Sequence, residues 1–216
     1  MALVRVRHCR ALLYCRRAPP RCPACGGGLN AAGLSAAPVT LRCPFRHGHR
    51  QPRAFLVRPT RGTFLRGYDG SSDLHVGITN SQGVVFHFDQ AGVQRAQEGW
   101  EQCLSIPLLQ PHLWDLQQHW DGLLEEFSQG QDWLPHRYDE QEHNCYTFAL
   151  AFINHVRSVQ GWGPLSKAEF TQQFVLPQAR RASRYLSLEQ QLAHSDVVIV
   201  PLPQGEGSAA QDELLC

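Results

Sequence analysis

The clearest alternation of apolar and polar positions lies in "DLHVGITNSQGVVFHFD", residues 73 to 89. Two strand-like runs, "LHVGIT" and "VVFHFD", flank an Asn-Ser-Gln-Gly turn in which Gly83 suits a positive φ, and this pattern predicts a β-hairpin. A loop of Ser81, Gln82 and Gly83 pairs Asn80 with Val84 and fixes the register. Leu74, Val76 and Ile78 then share one face of the first strand, as Phe86 and Phe88 do on the second. His75, Gly77, His87 and Asp89 fall on the other face. The two histidines come nearly opposite each other, beside a glycine that leaves room for another group to approach.

A helical period follows in "HLWDLQQHWDGLLEEF", with Leu113, Leu116, Trp120, Leu123 or Leu124, and Phe127 forming an apolar stripe. A second helix is predicted in "HNCYTFALAFINHV", where Asn144 is a good N-cap and Phe148, Phe152 and Val156 are spaced along one face. Cys145 takes its first position. Ahead of both helices, Cys103 alternates with Leu104 and Ile106 on a predicted strand and reads as structural. Residues 165 to 203 predict one or two short helices and a closing strand at "DVVIV". These elements make residues 51–203 an α+β domain, an antiparallel sheet packed on helices, with 204–216 as a mobile tail.

Composition changes the picture at the other end. Net charge is +1, but residues 1–68 carry thirteen arginines and no acidic residue, whereas the remainder carries 7 basic and 19 acidic side chains. The basic segment suits an acidic partner, either a protein or a nucleic acid. An arginine-rich, acid-free leader also resembles a transit peptide. No apolar run reaches the roughly 18 residues of a membrane span. Eight cysteines without a secretory signal read as reduced thiols or metal ligands of an intracellular protein, cytosolic or nuclear.

Five of those cysteines, at positions 9, 15, 22, 25 and 43, lie within residues 1–50. In "RCPACGGG", Cys22 and Cys25 are spaced so that both thiolates can face one tetrahedral ion, and the following glycine relieves the tight backbone. Cys43 and His47 of "RCPFRHGH" supply a second half-site, with His49 as an alternative. A rival set combines Cys9 and Cys15 with Cys22 and Cys25. Residues 1–50 therefore read as a zinc-ribbon-like unit with a structural zinc, and as one with little apolar material to fold around without metal.

At a helix start, unpaired N–H groups and the positive dipole end favour a thiolate, and a neighbouring imidazole can take its proton. "LHVGI", "VVFHF" and "HNCYTFALAFI" together resemble the circularly permuted papain-like thiol fold, the group of lecithin retinol acyltransferase and the desumoylating isopeptidases. The resemblance covers roughly residues 55 to 200. It implies Cys145 as nucleophile, His75 as general base and His87 as its orienting partner, with Asp89 as an alternative to His87. Where the acyltransferases follow the cysteine with Glu-His, this chain has Tyr146 and Thr147, so their particular substrate chemistry is not implied.

Three functions stay open at this point. One is a thiol hydrolase or acyltransferase acting on an acyl, thioester or isopeptide bond. Another is a catalytically inactive module of the same fold, with a zinc-stabilised basic unit as its interaction surface. The third is a zinc-dependent nucleic-acid binder.

Overall fold

The computed structural model describes residues 2–30, 34, 36–110 and 113–202. The fold is α+β, with two antiparallel sheets, and divides into two compact units: Phe45–Arg180, and Met1–Pro44 together with Arg181–Cys216. The tail expected at 204–216 lies outside the described residues.

Phe45–Arg180 is built on a five-stranded sheet. Its strands are β4 (Ala54–Pro59), β5 (Leu74–Thr79), β6 (Val85–Asp89), β7 (Gly92–Ala96) and β8 (Leu104–Pro107), in the order β7-β6-β5-β4-β8. The hairpin register is the one its turn predicts: Asn80 N–H donates to Val84 O at 3.0 Å, and Ile78 pairs with Phe86. Gly83 has φ +83, and a Cβ there would overlap the His49 carbonyl. Cross-strand pairing places Phe55, Val57, Val76, Ile78 and Phe86 on one face. Helices α1 (Trp114–Ser128) and α2 (Cys145–Val159) pack on this face, with Leu116, Trp120, Leu124, Phe148, Phe152 and Val156 all buried. Trp120 donates its indole N–H to Thr79 O at 2.9 Å and meets Phe152 edge to face, which ties α1 to both the hairpin and α2. The opposite face is closed by a second cluster of Ala54, Leu56, Val85, Trp100 and Cys103.

In the other unit, β1 (Leu3–His8), β2 (Ala11–Cys15) and β3 (Val39–Leu41) join β9 (Val197–Pro201) in a sheet ordered β3-β1-β2-β9. The expected lack of apolar material is corrected here. Apolar residues in "LVRVRH", "ALLYC" and "VTL" build strands that bury Leu3, Val6, Leu13, Tyr14 and Leu41. The closing strand at "DVVIV" forms, but it pairs with β2, Leu13 opposite Ile199, and not with the sheet of the larger unit. Two further helices, α3 (Lys167–Phe170) and α4 (Leu176–Gln191), are joined by a π-helical turn over Thr171–Val175, and the division between units falls within α4. The units therefore differ from the expected 1–50 and 51–203, because strand pairing joins the two ends of the chain. No helix of the described residues is long and apolar enough to cross a membrane.

Candidate functional site

Asn144 caps α2 as its sequence predicts, its Oδ1 accepting from the N–H groups of Tyr146 at 3.0 Å and Thr147 at 3.3 Å. Cys145 is thereby fixed as the first helical residue, 8 % exposed. Its sulfur meets the sheet where β5 and β6 part. Pairing between these strands covers Ile78 with Phe86 and Thr79 with Val85. Val76 N–H points to the same side as Asn80 N–H, by the alternation of an antiparallel ladder, and reaches the Cys145 sulfur. Burial pushes the Cys145 thiol pKa up, against the opposing pull of the Val76, Tyr146 and Cys145 N–H groups and of the Lys167 charge.

The residue before Val76 is His75. Its Nε2 lies 2.9 Å from His87 Nδ1, with the rings edge to face at 4.8 Å between centroids. One nitrogen donates and the other accepts, so the pair suits two neutral imidazoles. Burial, then the neighbouring His87 and Arg58, lowers the His75 pKa to about 3. Burial also lowers that of His87, partly offset by Asp89, whose carboxylate lies 3.8 Å from His87 Nδ1. Asp89 is otherwise engaged in its own turn, accepting from Ala91 N–H at 2.8 Å.

Trp100 covers both histidines, its ring 5.8 Å from His75 and 5.5 Å from His87, and Arg58 stacks on it at 5.0 Å. Gly77 makes room for this indole: a Cβ there would stand 3.1 Å from Trp100 Cη2 and 2.6 Å from Val85 Cγ1. The structure thus places His75, His87 and Asp89 on one strand pair and the Cys145 sulfur against the N–H of the residue following His75. Among the described residues, no hydrogen bond joins Cys145 to His75.

The candidate metal ligands separate into two groups. Cys22 and Cys25 lie with Cys9 and His8, and the four ligand atoms all fall within 4.8 Å of one another. Cys43 is elsewhere, against the Tyr185 hydroxyl, whose pKa is raised by burial and by the nearby thiol. Cys15 is buried in β2, its thiol directed at Val4 O, 3.7 Å away. His47 and His49 belong to the larger unit, where their rings meet edge to face and His49 Nδ1 bonds Gly83 O at 2.8 Å. His8 is not among the ligands that cysteine spacing predicts; its signal in the sequence is its position beside Cys9, at the closing pair of the β1–β2 hairpin.

The family described as DUF4796 C-terminal matches residues 38–192. The segments "CPACG", "FLVRPTRGTFL", "DLHVGITNSQGVV", "GWEQC" and "HNCYTFALAFIN" suggest a likeness to the makorin-2 opposite strand protein. The comparison bears this out: the chain is 45% identical over 215 residues to the "MKRN2 opposite strand protein" of Homo sapiens, covering 100% of this chain and 96% of that one. No solved structure matches. The chain belongs to the family described as DUF4796 C-terminal.

Proposed function

We propose that the chain performs thiol-dependent acyl chemistry in the manner of the permuted papain-like enzymes, hydrolysing or transferring an acyl, thioester or isopeptide group at Cys145. The observation that carries this reading is the His75–His87 hydrogen bond at 2.9 Å. When His75 Nε2–H donates to His87, His75 Nδ1 holds a free lone pair, one residue from the N–H that already contacts the Cys145 sulfur. In the reaction the His75 ring, which rests under Trp100 on the face opposite α2, has to turn toward the gap between β5 and β6, where its Nδ1 takes the thiol proton as the sulfur attacks the carbonyl carbon. The oxyanion is held by the Cys145 N–H, the donor at the start of α2 that the Asn144 cap does not occupy, and the proton passes to the leaving group. Water or a second acceptor then releases the acyl group from sulfur. The raised thiol pKa and the neutral histidines mean that the resting pair is uncharged, so proton transfer accompanies attack and does not precede it.

The second reading, an inactive interaction module with a zinc-stabilised basic unit, is favoured by the same resting state and by the small exposure of Cys145. Site-resolved labelling separates the two. A carbonyl-directed thiol probe should modify the Cys145 peptide of the wild type at neutral pH, and His75→Ala should slow that modification by about 10²-fold or more. Modification at a rate indifferent to His75→Ala would refute catalysis and leave the inactive module.

A further inference from the structure

We infer that His8, Cys9, Cys22 and Cys25 form a tetrahedral zinc centre that locks the turn of the β1–β2 hairpin to the Cys22–Cys25 knuckle. Four independent features converge on it. Cys9 Sγ lies 3.5 Å from Cys22 Sγ, and Cys25 Sγ lies 3.5 Å from His8 Nδ1. A zinc ion with bonds of about 2.3 Å to sulfur and about 2.0 Å to nitrogen spaces its tetrahedral ligands roughly 3.5–3.8 Å apart. These pairs are thus already at the spacing of ligands, and the donor set is three thiolates and one imidazole.

The knuckle has the backbone of a metal loop. Cys22 N–H donates to Gly27 O at 2.7 Å and Gly26 N–H to Cys22 O at 2.8 Å, with Gly26 at φ +74. Thiolates only 3.5 Å apart, as at Cys9 and Cys22, repel one another, and a divalent cation between them removes that repulsion.

The hairpin turn is strained in the way a ligand explains. His8 pairs with Ala11, leaving Cys9 and Arg10 as a two-residue loop with φ 39 and 63. Such a turn favours Asn-Gly, and a non-glycine residue held in the left-handed region is strained. Finally, the floor of the site is glycine. A Cβ on Gly27 would stand 3.2 Å from His8 Cε1 and 3.4 Å from Cys25 Sγ, so the ligands close over a position that admits no side chain without displacement.

Metal content of the full chain, purified under reducing conditions from zinc-supplemented cells, tests the assignment. About one zinc per chain is expected. Cys22→Ser and Cys25→Ser should each lose it, while Cys43→Ser and His47→Ala retain it. Should the serine variants fail to fold, cobalt loading of the wild type gives a second readout. Intense tetrahedral d–d bands with thiolate charge transfer are expected, and His8→Cys should shift the d–d bands to lower energy. A substoichiometric wild type, metal loss in Cys43→Ser or His47→Ala, a weak octahedral cobalt spectrum, or a Cys9–Cys22 disulfide in the reduced preparation would each overturn the proposal.

Discussion

At the residue scale, the histidine pair makes a statement about pH. His75 is lowered from an ordinary 6.5 to about 3, and His87 is lowered as well. Between these values the unfolded chain binds protons that the folded chain refuses, so stability is complete above pH 6.5 and falls as pH falls toward 3. The loss attributable to His75 is on the order of a few kcal/mol across that window. Urea midpoints measured from pH 7 to pH 4.5 should therefore decline, and His75→Asn should flatten the decline. An unchanged slope in the variant would mean that His75 is not the group refusing the proton. Much of this was legible in sequence. Period-two alternation put His75, Gly77 and His87 on one face, and the glycine signalled a close neighbour. Its identity was not legible, because Trp100 arrives through a bridge between Arg46 and Cys103 and a hydrogen bond from Gly48 N–H to Trp100 O at 2.6 Å. Contacts made across the chain leave no local period.

At the scale of elements, α2 carries its own start signal, and the signal serves the site as well as the helix. Asn144 joins the cap to the preceding loop through Nδ2, which donates to Glu140 O at 2.7 Å. Asn144→Ala should cost about 1 kcal/mol of stability, whereas Asn144→Asp, which keeps the accepting oxygen, should lose less. If the cap also positions the sulfur, the alanine variant should change the rate of Cys145 modification beyond what its lowered melting temperature explains. Equal rates in the three proteins would confine Asn144 to a structural role. The apolar stripes of α1 and α2 were readable because helical period and burial coincide along them. The strand β1 is readable in principle, through Val4 and Val6 alternating with Arg5 and Arg7, but the arginines and cysteines around it mask that period. Recognising the β1–β2 hairpin would have placed Cys9 in its turn and His8 beside it, which is half of the candidate centre.

At the scale of the whole molecule, topology blunts a contrast that looks sharp along the chain. The sequence runs from +13 over residues 1–68 to −12 over the rest. The unit containing both chain ends has 9 basic and 5 acidic residues, net +4, and Phe45–Arg180 has 11 and 14, net −3. Arginines at 46 to 66 go to the larger unit, and carboxylates such as Glu189, which pairs with Arg16 at 2.6 Å, go to the smaller. The basic segment therefore does not form an uninterrupted positive surface of the kind that non-specific nucleic-acid binding uses. The same return of the chain governs foldability. β2 is paired on one side by β1 and on the other by β9, from Ala11 opposite Pro201 to Cys15 opposite Val197, and Leu202 N–H donates to Arg10 O at 2.8 Å beside the hairpin turn. A fragment of residues 1–50 lacks β9 and leaves the β2 edge bare. It should show poor amide dispersion and no cooperative unfolding even with zinc present, while Phe45–Arg180 alone should melt cooperatively. Adding a peptide spanning residues 181–202 to the first fragment should restore slow amide exchange in β2. Cooperative folding of residues 1–50 with zinc alone would show instead that the metal, and not the returning strand, completes this unit.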